Sequence, residues 1–182
     1  QEPALRRYGQ DEVRRQALAG GYRLMDGHEL VAAGSTGEAV QLVSVGAMLP
    51  EVVEAAQRLA GEGVAANVIH VTSPDLLFTS LRQSRGRRRT EARSATGLGH
   101  LETLFPSGER SLPLVTVQDA SAHCLAFLGG VFGAPCVPLG VDQFGQAGSL
   151  TDLYRYVGIG VDDIVGAALL AREIADERDS AR

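Results

Sequence analysis

Lysine is missing from this chain. All 17 of its basic side chains are arginines, so neither a lysine Schiff base nor a P-loop lysine is available to it. Cysteine is scarce, with only Cys124 and Cys136. Both fall in segments expected to be core, which predicts buried free thiols in a reducing compartment. Their spacing suggests neither a metal nor a redox pair and leaves a disulfide between them open. No apolar run reaches the ~20 residues of a membrane helix, and the N-terminus carries no signal-peptide pattern. A soluble, cytoplasmic protein without a membrane partner is expected. The signatures H-E-x-x-H and C-x-x-C, the P-loop and the nucleophile elbow G-x-S-x-G are absent too.

What is present fits an ordinary globular domain. The 182 residues suit one full core and a terminal arm. Hydrophobic residues make up 45% and charged residues 21%. A net charge of -5 and a pI near 5.4 argue against a nucleic-acid partner. The chain begins with Gln1 rather than Met, and a piece of a longer polypeptide is expected.

Residues 113–159 carry the densest signals. Leu114, Val115, Thr116 and Val117 read as a short strand, and Asp119, Ala120 and Ser121 as its turn. An apolar helix is expected over 123–132, closed by Gly133, and a second strand from Cys136 to Val141. Apolar runs alternating with helices predict a parallel sheet covered on both faces. Ligands and partners of such sheets meet the loops at the carboxyl ends of the strands, here 118–122 and 142–149.

Upstream, residues 1–20 read as a charged helical arm with a narrow stripe of Val13, Ala17 and Leu18. It has little core of its own and is expected to pack on a preceding domain or a second subunit. A first strand is expected at 22–25, continued as a hairpin over 29–33, with a polar break at 34–38. Strand 40–45 leads through Gly46 into a helix opened by Pro50, and strand 67–71 leads through Ser73-Pro74-Asp75 into a helix ending at Leu81. Residues 82–93 hold Arg82, Arg85, Arg87, Arg88, Arg89 and Arg93. They read as a solvated loop, with an anion or acidic partner as the functional alternative. After a short helix over 98–105 come a helix over 149–156, capped by Ser149 or Thr151, and a terminal helix over 161–178. The last should bury Ile164, Val165, Ala168, Leu169 and Ile174.

Candidate chemistry is sparse. Ser44-Val45-Gly46-Ala47-Met48 has one glycine where a dinucleotide fingerprint needs three, and a turn without ligand is the better reading. A small anion at the following helix N-terminus is the alternative. Asp119, Ser121 and His123 are of acid-base or nucleophile type but lack an orienting partner. Helix capping by Asp119 or Ser121 is the expected role, leaving Asp119 and His123 as weak catalytic candidates. His28, His70 and His100 are dispersed without metal-ligand spacing, and His70 is expected to be a hydrogen-bonded structural residue.

The stretch HLETLFPSGERSLPLVTVQDASAHCLAFLGGVFGAPCVPLGVDQFGQAGSLTDLYRYVGI resembles the C-terminal domain of transketolase-like thiamine diphosphate enzymes. Within that group it looks most like the homodimeric decarboxylating component of the pyruvate dehydrogenase complex. VTVQDASAHCLAFLG and GVDQFGQAGSLTDLYRYVGI are the specific pieces. The segment VSVGAMLPEVVEAAQRLAGEGVAANVIHVTSPDLLF matches more loosely, and RRQALAGGYRL looks like the join to a preceding domain. The family more often has Gly-His where Ala120-Ser121 stands, while His123 matches.

The resemblance implies an α/β fold of three α/β/α layers, with a five-stranded mixed sheet whose first strand is antiparallel. It implies an arm at 1–20 and the domain proper at 21–182. In the parent, thiamine diphosphate and magnesium lie between other domains; their Gly-Asp-Gly…Asn signature is not found in this chain. The fragment itself is therefore expected to bind no cofactor or metal and to be inactive alone. Its expected partners are other domains of the parent, a second subunit and the acyltransferase core of a multienzyme complex. A transketolase parent, a stand-alone interaction module and a flavodoxin-like ligand domain are the alternatives.

Overall fold

A computed structural model describes residues 3–31, 39–90 and 97–181. The strands are β1 (Gly21–Met25), β2 (Ala39–Val45), β3 (Ala65–Val71), β4 (Leu114–Val117) and β5 (Cys136–Leu139). They form one sheet in the order β1-β3-β2-β4-β5. β1 is antiparallel to β3, and the other neighbours are parallel. The expected five-stranded mixed sheet is therefore the observed one.

The period-two alternation of the strands divides the core into two layers. Leu42, Val68 and Val115 face one side, under α2 (Gln10–Leu18), α3 (Leu49–Gly61) and α8 (Val161–Ser180). Val43, Ile69 and Leu114 face the other, under α4 (Pro74–Thr90), α5 (Leu101–Leu104) and α6 (Phe127–Phe132). β2 and β3 lie inside the sheet and are covered on both faces, which is why they read as unbroken apolar runs. Each fully buried Leu, Ile or Val contributes about 1.5–3 kcal/mol.

One polar group interrupts the second layer near the amino ends of the parallel strands. Arg23, Gln41 and Asn67 all converge on Glu109. Asn67 also accepts from the Gly27 N–H at 2.9 Å. Gln41 Oε1 is buried there without a hydrogen-bond partner among the described residues.

Several expectations need correction. The arm is two helices, α1 (Pro3–Tyr8) and α2, interrupted at Gly9. Ala4, Val13 and Gln16 are buried, whereas Leu18 is 70% exposed. The arm packs on β1 of its own chain, and Thr72 Oγ1 donates to the Ala17 carbonyl at 2.6 Å. Among the described residues no hairpin follows β1: Gly27–Glu29 is a single 3-10 turn, with Asp26 accepting from the His28 N–H. β1 pairs instead with β3, and part of the expected hairpin and break, residues 32–38, lies outside the described residues.

Helix α4 does not stop at Leu81 but runs to Thr90, so most of the expected arginine loop is helical. Residues 91–96, including Arg93, lie outside the described residues. The apolar segment after β4 is a 3-10 turn over Ala122–Leu125 followed by the short α6. In α8, Ala167 and Ala171 are buried, while Leu169 and Ile174 are each 40% exposed. Small residues let α8 lie close to the sheet, which pushes the larger ones outward.

Candidate functional site

The loops after β2, β4 and β5 meet at the carboxyl edge of the parallel strands, where the topology places a ligand or partner surface. Close packing holds the last two together. Val141 N–H donates to the Ala120 carbonyl at 2.9 Å. A Cβ on Gly140 would lie 2.5 Å from both the Ala120 oxygen and the Ala122 nitrogen. Only glycine fits that crossing.

Asp119, Ser121 and His123 all sit on the β4 loop, and the structure adds Asp142 from the β5 loop. Ser121 Oγ donates to Asp142 Oδ1 at 2.9 Å, and the same carboxylate oxygen accepts from the Ala122 N–H at 3.2 Å. Ser121 Oγ also lies 2.8 Å from His123 Nδ1. A hydroxyl has one proton. With that proton on Asp142, the imidazole Nδ1–H donates to Ser121. Serine thus occupies the middle of the relay, where a nucleophilic triad requires histidine between serine and carboxylate. Among the described residues no carboxylate bonds the His123 ring, and the relay fastens the two loops to each other.

The capping role expected for Ser121 is not observed. It occupies the N-cap position of the 3-10 turn, yet its side chain makes no capping bond there. Gln118 Nε2 donates instead to the Ser121 carbonyl. Asp119 lies apart from this relay and faces the β2 loop. A Cβ on Gly46 would come within 3.3 Å of Asp119 Oδ1, and Gly46 has a left-handed φ of 59°. Glu51 stands in the first turn of α3. Burial first, and then the Glu51 and Asp119 carboxylates, push the Tyr154 phenol above its ordinary value. This negative surrounding disfavours the small anion considered for that helix N-terminus.

Tyr154 belongs to α7 (Leu150–Val157), whose first turn is capped by Ser149 accepting from the Asp152 N–H at 3.3 Å. A cleft of about 550 Å³ opens between α3 and α7, lined by Glu51, Glu54, Arg58, Tyr154, Arg155 and Asp162 among others. Arg58 closes one side through a 2.7 Å ion pair with Asp162. The cleft therefore presents mixed charge on mobile-length side chains.

The remaining sequence candidates are structural. His70 Nδ1 lies 2.9 Å from the buried Ser44 hydroxyl, and its ring meets Tyr22 edge-on at 5.5 Å. His100 Nε2 is bonded to the Gly21 carbonyl at 2.8 Å. Cys124 is exposed, against the expectation of burial, and Cys136 is half-buried; both are free thiols. Burial raises the Cys136 pKa. Sequence reasoning missed Asp142 and Glu109. Asp142 had a signal, a carboxylate directly after a strand in a Gly-rich loop, whereas Glu109 sits in an unremarkable polar loop.

Among the described residues no cluster of three His, Cys, Asp or Glu could hold a metal ion. The carboxylates of Asp119 and Glu51 stand near the N-terminus of α3. No described helix is long and apolar enough to cross a membrane.

A family model for the transketolase-like TK C-terminal domain matches residues 20–160. The chain is 26% identical over 136 residues to a chromosomal transketolase of Cupriavidus necator, covering 75% of this chain and 17% of that one. Its fold is similar to transketolase from Campylobacter jejuni, with a TM-score of 0.54, 20% identity, and coverage of 83% and 18% of the two chains. A split-gene transketolase, an inactive β4 tetramer, has a TM-score of 0.50 and 21% identity over 84% of this chain and 42% of that one. The chain thus spans about a sixth of the length of the curated relative it matches.

Proposed function

The chain belongs to the transketolase-like TK C-terminal domain family, and from that premise we propose that it is the C-terminal domain of a thiamine diphosphate-dependent transketolase. The observation that carries this reading is the match over 20–160 combined with coverage of only 17% of the curated transketolase. The cofactor and its magnesium belong, in this reading, to other domains of the parent. When bound there, thiamine diphosphate supplies the carbanion chemistry of two-carbon ketol transfer between sugar phosphates. This chain's residues do something simpler. They build a rigid sheet edge, pinned by Ser121, Asp142 and Gly140, that supports the neighbouring domains and a second subunit.

The pyruvate dehydrogenase-type parent expected from residues 115–129 and 140–159 is the second reading. The curated relative, a transketolase, favours the first. Only the second reading brings an acyltransferase core as partner.

Calorimetric titration of the chain with thiamine diphosphate and Mg²⁺ should show no saturable binding; micromolar binding would overturn the assignment of the cofactor to other domains. The full-length parent, read from the upstream coding sequence, should transfer a ketol unit from a ketose phosphate to an aldose phosphate. Decarboxylation of pyruvate without that transfer selects the second reading.

A further inference from the structure

Two helices on opposite faces of the sheet carry exposed stripes of opposite charge and the same spacing. On α4, Phe78, Arg82, Arg85 and Arg89 recur at i, i+4, i+7 and i+11, which places them on one helical face. All four are exposed. On α8, Leu169, Glu173, Asp176 and Ser180 recur at the same intervals, with Glu177 beside them, and all are exposed. Each stripe opens with a large apolar side chain, Phe78 also meeting Phe127 edge-on at 5.2 Å; α4 then carries positive charge and α8 mainly negative charge, with Arg172 lying among Leu169, Glu173 and Asp176. Among the described residues, Arg82, Arg85 and Arg89 make no ion pair, and neither do Glu173, Asp176 and Glu177.

The arginine stripe is unfavourable for an isolated helix. Arg85 and Arg89 are like charges one turn apart, and Gly86 between them costs about 1 kcal/mol relative to alanine. Among the described side chains of α4 the last buried one is Ser84, so Arg85, Gly86, Arg87 and Arg89 lie outside the core. A partner that neutralises the arginines removes the repulsion. The acidic stripe of α8 cannot be that partner within one molecule. α4 packs through Leu77 and Leu81 on one layer, and α8 through Ile164 and Ala168 on the other. The sheet stands between them.

We infer that α4 of one copy docks along α8 of a second copy, with the helices parallel, Phe78 against Leu169, Arg82 against Glu173 and Arg85 against Asp176 and Glu177. This contact rests on neither reading of the parent enzyme. The two surfaces differ, so the contact is heterologous: it leaves a free α4 and a free α8 at the ends, and propagates head-to-tail unless a ring closes. Three helical turns on each side make a small interface, at the weak end of specific association. Both stripes are solvent-facing, so the contact is sensitive to salt.

Sedimentation velocity of the chain at 50 and 500 mM NaCl tests this. The expected result is self-association that weakens at least about tenfold across that range. R82E/R85E and E173R/D176R should each abolish it, and the chain carrying all four substitutions should recover it, because both partners are then reversed together. Circular dichroism checks that each variant folds; R82Q/R85Q serves where a reversal does not. A chain that stays monomeric at hundreds of micromolar overturns the inference, as does association indifferent to the α4 reversals. Binding of a single-stranded oligonucleotide or an acidic peptide that is lost in R82E/R85E, with self-association unchanged in E173R/D176R, would also overturn it.

Discussion

Arg23 and Glu109 stand 86 positions apart and meet in a two-pronged ion pair, Nη1 to Oε2 at 2.7 Å and Nη2 to Oε1 at 3.1 Å. The Arg23 side chain is 5% exposed and that of Glu109 26%. Arg23 also donates to the Leu104 carbonyl at 3.3 Å. The pair ties the antiparallel edge strand β1 to the loop that precedes β4.

Removing one partner of such a pair costs about 3–5 kcal/mol where the remaining charge is left alone in the interior; without Glu109, Arg23 keeps only the more distant Asp26 carboxylate at 3.9 Å. Because Glu109 keeps some solvent access, Glu109→Ala is expected near the lower end, about 3 kcal/mol. Glu109→Gln keeps much of the hydrogen bonding to Gln41 and Asn67 and should cost less. Urea unfolding of the two variants decides. A loss under about 1 kcal/mol for the alanine variant would mean that water already solvates Arg23.

The same residues mark how far the sequence could be read. β2, β3 and β4 were legible because both their faces are buried and their apolar runs are continuous. Ser149 and Pro50 announced α7 and α3 through local chemistry alone. Where the reading failed, a distant residue decided. Arg82, Arg85 and Gly86 give no local reason for α4 to continue, yet it does, from an anchor at Leu77 and Leu81. Ser121 is an N-cap by type, but Asp142, 21 positions away, takes its hydroxyl. Cys124 was expected inside because its neighbours are apolar; the 3-10 turn that exposes it depends on the crossing at Gly140. The arm's packing was obscured because its buried positions are an alanine, a valine and a glutamine rather than a stripe.

The loop crossing makes its own prediction. Asp142→Ala removes acceptors from Ser121 Oγ and Ala122 N–H at an exposed position, and should cost about 1 kcal/mol, or roughly 2–4 °C in Tm for a chain of this size. Amide exchange should quicken at Ala122. Gly140→Ala forces a Cβ into backbone atoms 2.5 Å away and should cost more than Asp142→Ala. Equal Tm values for the two variants would show that the loops separate freely.

The thiols should react in order. Cys124 is exposed, whereas Cys136 is half-buried with its pKa raised by burial. Since the thiolate is the reactive form, a disulfide-exchange reagent near pH 8 should label one thiol rapidly and the second slowly. Cys124→Ser should delete the fast phase and leave the slow one. Two equally fast phases in the native chain would contradict the burial of Cys136.

Strong acid should act on the arm. Glu12 is held down to about 2, chiefly by the Arg15 guanidinium and next by Gln16, at 2.6 Å and 2.7 Å from Oε1. Its folded value lies below the ordinary 4.5, so its contribution to stability is present above about pH 4.5 and is lost as the pH falls toward 2. Gln16 links this carboxylate to the sheet, since its Oε1 accepts from the Arg23 N–H at 3.4 Å. Protonating Glu12 should therefore loosen α2 from β1. Carbon-detected NMR should place the Glu12 midpoint near 2, and Arg15→Ala should move it up toward the ordinary value. Exchange of the Arg23 amide should rise over the same interval. A Glu12 midpoint near 4.5 in the native chain would break the link between the arm and the sheet.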